Sequence, residues 1–247
     1  MTARSPAPVA LAGRYVVLEP LRLDHVPDLY MAQRGLETDW GWLPVLAPRS
    51  EAEMRLIVEQ RLAQQAAGGA FLFTVLQAGT RRPVGWIAYL DICVLDQRLD
   101  IGWYWLGASL SGTFAAVEIH LLLMQHAFHL GFTRVQWQFD DLDRTSHSTM
   151  AQINAVREGL LRRHVRRPDG SWRDTVVYSV LAPKRSVPAG GFAPPALPAP
   201  PPALPAPPPP RQVQAAAPAP VRWPAAGATG MGRPRAGLGP AAVRRPQ

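Results

Sequence analysis

No acidic residue follows Asp174, and that boundary limits how much of the chain can build a core. From Pro183 to Gln247 the sequence carries 19 prolines, 8 basic residues and no Asp or Glu, against 8 prolines in everything before. This stretch has no Ile and few Leu, Val or aromatic residues. It cannot bury enough apolar surface to offset the ~1–2 kcal/mol per residue that ordering a backbone costs. Residues 183–247 are therefore expected to form a disordered, polyproline-like tail. A passive spacer is the default reading; a ligand for proline-recognising domains, or a shifted reading frame in GC-rich DNA, are the alternatives. Ending the chain at Ala182 is expected to leave the melting temperature nearly unchanged by calorimetry, and a large drop would show that the tail docks.

Before Pro183, 18 basic residues balance 18 acidic ones, so the whole net charge of +8 belongs to the tail. A basic balance points to nucleic acid only where it lies on a folded surface, so nucleic acid is not expected as a partner. Cys93 is the only cysteine. It excludes an intramolecular disulfide, suits a reducing cytoplasm and reads as a small apolar residue buried in a strand. No apolar run approaches the ~20 residues of a spanning helix, and Met1–Val9 lacks the organisation of a signal peptide. A cytoplasmic protein without membrane contact is expected.

Arg14–Leu21 is rich in β-formers and predicts a first strand. Asp24 is placed to cap a following helix, and a Trp/Pro loop runs from Gly35 to Pro48. Ser50 with Glu53 makes a capping box for a helix whose Met54, Ile57, Val58, Leu62 and Ala66 share one face. Phe71–Gln77, Val84–Leu95 and Leu99–Leu106 read as an antiparallel meander. Thr113–Leu130 is a long apolar helix ended by Gly131, and Arg134–Phe139 alternates as a strand. A short helix from Asp143 or Thr145 to about Asn154 precedes a final hairpin, Val156–His164 and Trp172–Leu181. Strand, helix and strand around Thr113–Leu130 imply one parallel crossover. The expected fold is α/β: a single domain over residues 11–182, with a mixed, mostly antiparallel sheet of about seven strands flanked by helices.

A phosphate-bearing ligand would best sit on the turn from Leu106 to Ala116, because a helix N-terminus offers unpaired N–H groups and partial positive charge. Gly107 and Gly112 suggest close backbone approach there. Five stretches, Leu11–Leu21, Arg98–Gly107, Leu121–Phe128, Ala155–His164 and Asp169–Leu181, together resemble the RimJ/RimL-type branch of the GNAT superfamily of N-acetyltransferases. The resemblance implies a transferase that moves an acetyl group from acetyl-CoA to a primary amine, a protein N-terminus or a small amine, by direct attack. It also implies that Leu106, Gly107, Ser111, Gly112, Thr113, Phe114, Ala115 and Ala116 hold the cofactor. The superfamily loop reads Gln/Arg-x-x-Gly-x-Gly/Ala. Here Gly112, Thr113, Ala115 and Glu118 are kept, while Ser111, Phe114 and Ala116 depart. Phe114 has neither the room of a Gly nor the donors of an Arg.

The branch usually places Asn-x-x-Ser at the start of the next helix, the Asn holding CoA and the Ser near its sulfur; this chain has Asp143-x-x-Ser146, so the resemblance implies Asp143 as a further cofactor-binding position. Ser146 is the candidate proton donor to the departing thiolate. Asp143, accepting only when ionised, lacks the donor half of an amide; plain helix capping is the alternative for both. Backbone N–H groups near Leu106 and Gly107 are the candidate oxyanion donors. Glu118 is the candidate base, a structural role being the competing reading. His120, His126 and His129 share the long helix without a Cys or carboxylate at ligand spacing, so no metal is expected. Trp103 and Trp105 fall on one side of their strand, in core packing or lining an acceptor cleft. Arg162, Arg163, Arg166 and Arg167 read as a solvated turn. Three readings stand: an active acetyltransferase, with a homodimer possible, a degenerate domain that serves as a structural or interaction module, and an Arg/Pro-rich scaffold whose function lies in the tail.

Overall fold

The computed structural model describes residues 2–34, 39–43, 45–108, 110–167 and 169–183. The expected tail, part of the Trp/Pro loop and Pro168 of the last turn lie outside them. The strands are β1 (Leu11–Ala12), β2 (Val16–Pro20), β3 (Ala70–Gln77), β4 (Pro83–Cys93), β5 (Arg98–Leu106), β6 (Arg134–Asp140), β7 (Val156–Arg166) and β8 (Trp172–Leu181). The helices are α1 (Val26–Gln33), α2 (Glu51–Ala66), α3 (Phe114–His129) and α4 (Arg144–Gln152), with short 3-10 turns at Leu23–His25 and Asp39–Trp42. One sheet runs in the order β1-β2-β3-β4-β5-β6-β8-β7. It has eight strands where the sequence suggested about seven; the added one is the two-residue β1, paired with β2 through Leu11↔Leu18 and Ala12↔Val17. Among the described pairs only β5 with β6 is parallel, as the crossover through α3 requires. No described helix is long and apolar enough to cross a membrane.

Both faces of the sheet are covered, which is why β3 reads as an unbroken apolar run rather than an alternation. Phe73, Val75, Ile87, Tyr89, Leu99 and Ile101 pack against Ile119, Leu123 and Ala127 of α3 and Met150 of α4. Leu72, Trp86, Ala88 and Trp105 pack on the other face against Val26 and Leu29 of α1, Met54 and Val58 of α2, and Trp40. Successive strand residues point to opposite sides, so each central strand feeds both cores.

Two expected caps come out differently. Asp24 caps nothing; its carboxylate takes the Arg22 Nε at 2.9 Å, and α1 starts without a side-chain cap. Ser50 does cap α2, accepting from Glu53 N at 3.2 Å, but Glu53 Oε2 reaches back one residue further, to Arg49 N at 2.7 Å. Cys93 is not buried: it ends β4 half exposed, its thiol donating to Asp96 Oδ2 at 3.2 Å. The basic turn is only partly solvated. Arg167 grips the buried Asp140 through Nε and Nη2 at 2.6 and 3.0 Å, and Arg166 stacks on Trp172 at 4.4 Å.

Candidate active site

β5 and β6 pair only through Arg98↔Arg134, Leu99↔Val135 and Asp100↔Gln136. Beyond Asp100 the two strands no longer pair, and a cleft of about 340 Å³ lies between them. Its walls come from both cores. Tyr104, His120, Trp137 and Met150 line it from the α3/α4 face, and Trp42, Leu43, Leu90 and Trp103 from the α1/α2 face. The cleft therefore draws its lining from both faces of the sheet.

A bulge shapes the β5 wall. Trp86 opposes Trp105 but Ala88 opposes Gly102, so Trp103 and Tyr104 share one place opposite Ile87. Trp103 takes φ 47°, a left-handed conformation that a bulky residue adopts only under constraint. The extra residue resets the alternation, so Tyr104 and Leu106 join Leu99 and Ile101 on the α3 face. Trp103 and Trp105 do share the other face, as expected. Trp105 is core, its ring centroid 5.4 Å from those of both Trp40 and Trp86. Trp103 is half buried, with the Arg61 guanidinium 3.9 Å from its ring centroid.

On the α3 face, the turn between β5 and α3 has the form expected of a phosphate cradle, but fewer of its N–H groups are free. Thr113 caps α3, its hydroxyl accepting from Ala115 N at 3.2 Å while its carbonyl accepts from Ala116 N at 3.1 Å. That occupies both donors, and the Ala115 and Ala116 side chains are buried in the core. The N–H groups of Gly112 and Phe114 have no acceptor among the described residues. Gly112 needs its glycine for φ 68° and opens onto empty space. Gly107 has a different reason: a Cβ there would meet Ala32 O and Val84 O at 3.1 Å, so it is a packing glycine rather than a ligand contact. Its N–H donates to Val84 O at 2.7 Å, which removes it as an oxyanion donor. Phe114 is half exposed at the first helical position, outside the core. Leu106 and Ser111 line the cleft.

Asp143 and Ser146 also line it, at the N-terminus of α4. Asp143 caps the helix by accepting from Ser146 N at 3.0 Å, and the Ser146 hydroxyl donates to its other oxygen at 2.6 Å. The Ser146 proton is thus already committed. A second hydroxyl on this side, that of Tyr104, has no partner among the described residues; burial and, secondarily, the Asp143 charge push its ionisation up. His120 accepts from Trp137 Nε1 at 3.1 Å through Nδ1, and burial pushes its pKa down to about 4. It is neutral, with its proton on Nε2.

Glu118 is brought nowhere near this chemistry. Its carboxylate accepts three backbone N–H groups at the start of β2, from Arg14 at 2.7 Å, Tyr15 at 2.7 Å and Val16 at 3.0 Å. With both oxygens occupied and 5% exposure, it is a structural anchor, and the sequence-based assignment as base is corrected.

A second carboxylate on the cleft wall, besides Asp143, is that of Asp100, which sequence reading passed over. It stands where β5 and β6 part, 7% exposed; Oδ2 accepts from Gln138 Nε2 at 2.8 Å and Oδ1 has no hydrogen-bond partner among the described residues. Burial pushes its pKa up to about 6, partly opposed by the Gln138 hydrogen bond. The available signal was an acid between Leu99 and Ile101 in the middle of an apolar strand. Arg173 of β8 lines the same cleft.

The sequence profile of the acetyltransferase (GNAT) domain matches residues 16–155, more than half the chain. The chain belongs to the GNAT acetyltransferases. A GCN5-related N-acetyltransferase from Brucella melitensis superimposes with a TM-score of 0.68 at 28% identity, over 73% of this chain and 82% of its own. Mycobacterium smegmatis RimJ in complex with CoA-disulfide shares the GNAT fold with a TM-score of 0.63 at 20% identity, over 71% and 88% of the two chains. So does the microcin C7 self-immunity acetyltransferase MccE in complex with acetyl-CoA and AMP, at 0.62 and 18%, over 69% and 94%. No curated protein matches this GNAT chain in sequence.

Proposed function

We propose that this GNAT domain is an active N-acetyltransferase in which a primary amine attacks acetyl-CoA directly and Asp100 receives the amine proton. The observation that carries the reading is a buried carboxylate, one oxygen of which has no hydrogen-bond partner among the described residues, on the wall of a cleft lined from both faces of the sheet. A general base works best when its pKa lies near the operating pH, and about 6 is far closer to that than an ordinary Asp. Acetyl-CoA enters on the α3 face, where the N–H groups of Gly112 and Phe114, without an acceptor among the described residues, and the positive end of α3 suit its phosphates. The amine enters on the α1/α2 face. As nitrogen bonds to the carbonyl carbon and the carbon–sulfur bond breaks, Asp100 takes the nitrogen's proton. Tyr104, kept neutral by its surroundings, supplies one to the sulfur. RimJ and MccE, whose structures carry CoA-disulfide and acetyl-CoA, support a CoA thioester as the donor.

The rival reading, a domain that has lost catalysis, rests on Phe114 and Asp143. Titration calorimetry separates the two. No acetyl-CoA binding up to a millimolar dissociation constant (about 4 kcal/mol) would defeat the enzyme reading. Phe114→Arg is expected to tighten binding about tenfold by adding a charge-assisted contact. Because Phe114 lies outside the core, the melting temperature should not move; unchanged affinity would refute the role given to this position.

A further inference from the structure

Arg173 is a cation without an anion. Its Nε donates to Thr175 Oγ1 at 2.9 Å, and it forms no ion pair among the described residues. The nearby carboxylate that could neutralise it, Asp140, is held by Arg167 through both oxygens. Arg173 is half buried in the cleft wall, and desolvation pushes its pKa down, a push that the Asp140 charge opposes only in part. The same wall holds a second unsatisfied donor, Trp105 Nε1, on a residue 3% exposed. Arg61, 7% exposed and stacked on Trp103, is another guanidinium with no described ion pair. On the cleft wall itself, the Arg173 guanidinium and the orphan Trp105 N–H form an electrostatic pattern that an anion completes.

Strand register places that anion relative to the reacting amine. Asp100 opposes Gln136, Gln138 opposes Val177, and Arg173 follows on the same face of β8 four residues from Val177. From the level of Asp100 to that of Arg173 is two residues along β6 and four along β8, about 20 Å in all, and the Arg173 side chain shortens the gap. An extended peptide covers that remaining distance in about three or four residues.

We infer that Arg173 makes the acceptor mouth selective for peptide N-termini with an acidic group at the fourth or fifth residue. This rests on the acetyltransferase reading and names its substrate class. The anion is a carboxylate side chain or a phosphorylated hydroxyl, and the test distinguishes them.

Three pentapeptide amides, Ala-Gly-Phe-Asp-Asp, Ala-Gly-Phe-Asn-Asn and the version with phosphoserine at positions four and five, are assayed with full-length protein and saturating acetyl-CoA. The better anionic peptide is expected to exceed the Asn peptide in kcat/KM by about tenfold, the worth of a charge-assisted hydrogen bond, mainly through KM. Arg173→Gln should bring that ratio close to one, and Arg173→Lys should keep part of it. Calorimetric acetyl-CoA affinity confirms that each variant folds. Equal use of the peptides by the wild type, or an undiminished ratio in both variants, overturns the inference and leaves the acetyltransferase reading standing. Bound acetyl-CoA with no acetylation of any peptide overturns peptide acetylation itself, and this inference with it.

Discussion

Asp100→Asn is expected to lose about 10²–10⁴-fold in kcat/KM, the usual contribution of a positioned base, while making the folded protein more stable at pH 8. The two effects share one cause. Burial pushes the Asp100 pKa up to about 6, whereas in the unfolded chain the carboxyl titrates near its ordinary value. Below about pH 4 it is neutral in both states and contributes no difference. Between the two values the folded form holds a proton that the unfolded form has lost. Above about 6 the folded state must bury a charge, so stability falls as pH rises through this window, by up to about 3 kcal/mol. Asn removes that charge and can still accept from Gln138 Nε2. Urea unfolding should thus show similar stabilities at pH 4 and a more stable variant at pH 8. The wild-type kcat/KM should rise with pH through about 6, since only ionised Asp100 can accept a proton. A variant with normal turnover, or one equally destabilised at both pH values, would remove Asp100 from the mechanism.

Elements with a strong period were legible in the sequence; geometry created by pairing was not. α3 was readable from its apolar face, Thr113 and Gly131, and β5, β6 and the last hairpin from their β-formers. The parallel crossover followed from element order alone. Glu118 misled because a helix Glu looks the same in sequence whether it meets solvent or three N–H groups more than a hundred residues away. Asp100 was hidden for the opposite reason. Its significance depends on β5 and β6 ceasing to pair just beyond it, and on the Trp103 bulge that turns Tyr104 into the same opening. Neither event has a local signature, since no Gly marks the left-handed position and no Pro marks the end of pairing. Arg173 looked like one more arginine among many. What sets it apart is Asp140, which sits in reach of two arginines and is spent on Arg167.

Glu118→Ala should lower unfolding stability by about 3–5 kcal/mol, because hydrogen bonds to a charged acceptor are worth roughly 1.5–3 kcal/mol each and three donors, Val16 N–H buried and the other two partly open to water, lose theirs at once. Against a typical total of about 5–15 kcal/mol, that is enough to unfold much of the protein near body temperature. Glu118→Gln should fall between, since an amide offers one acceptor oxygen and turns an NH₂ toward donors. Gly13 explains why the anchor fits. A Cβ at that position would lie 2.4 Å from Glu118 Cδ, so Gly13→Ala must push the carboxylate off its three partners. The two sites are therefore coupled. Once Glu118 is already Ala the clash has gone, and Gly13→Ala should add little further loss. Urea unfolding of the two single variants and the double variant measures this directly. Additive losses would show that Gly13 acts through backbone conformation instead, and a Glu118→Ala loss under about 1 kcal/mol would show that water replaces the carboxylate at the start of β2.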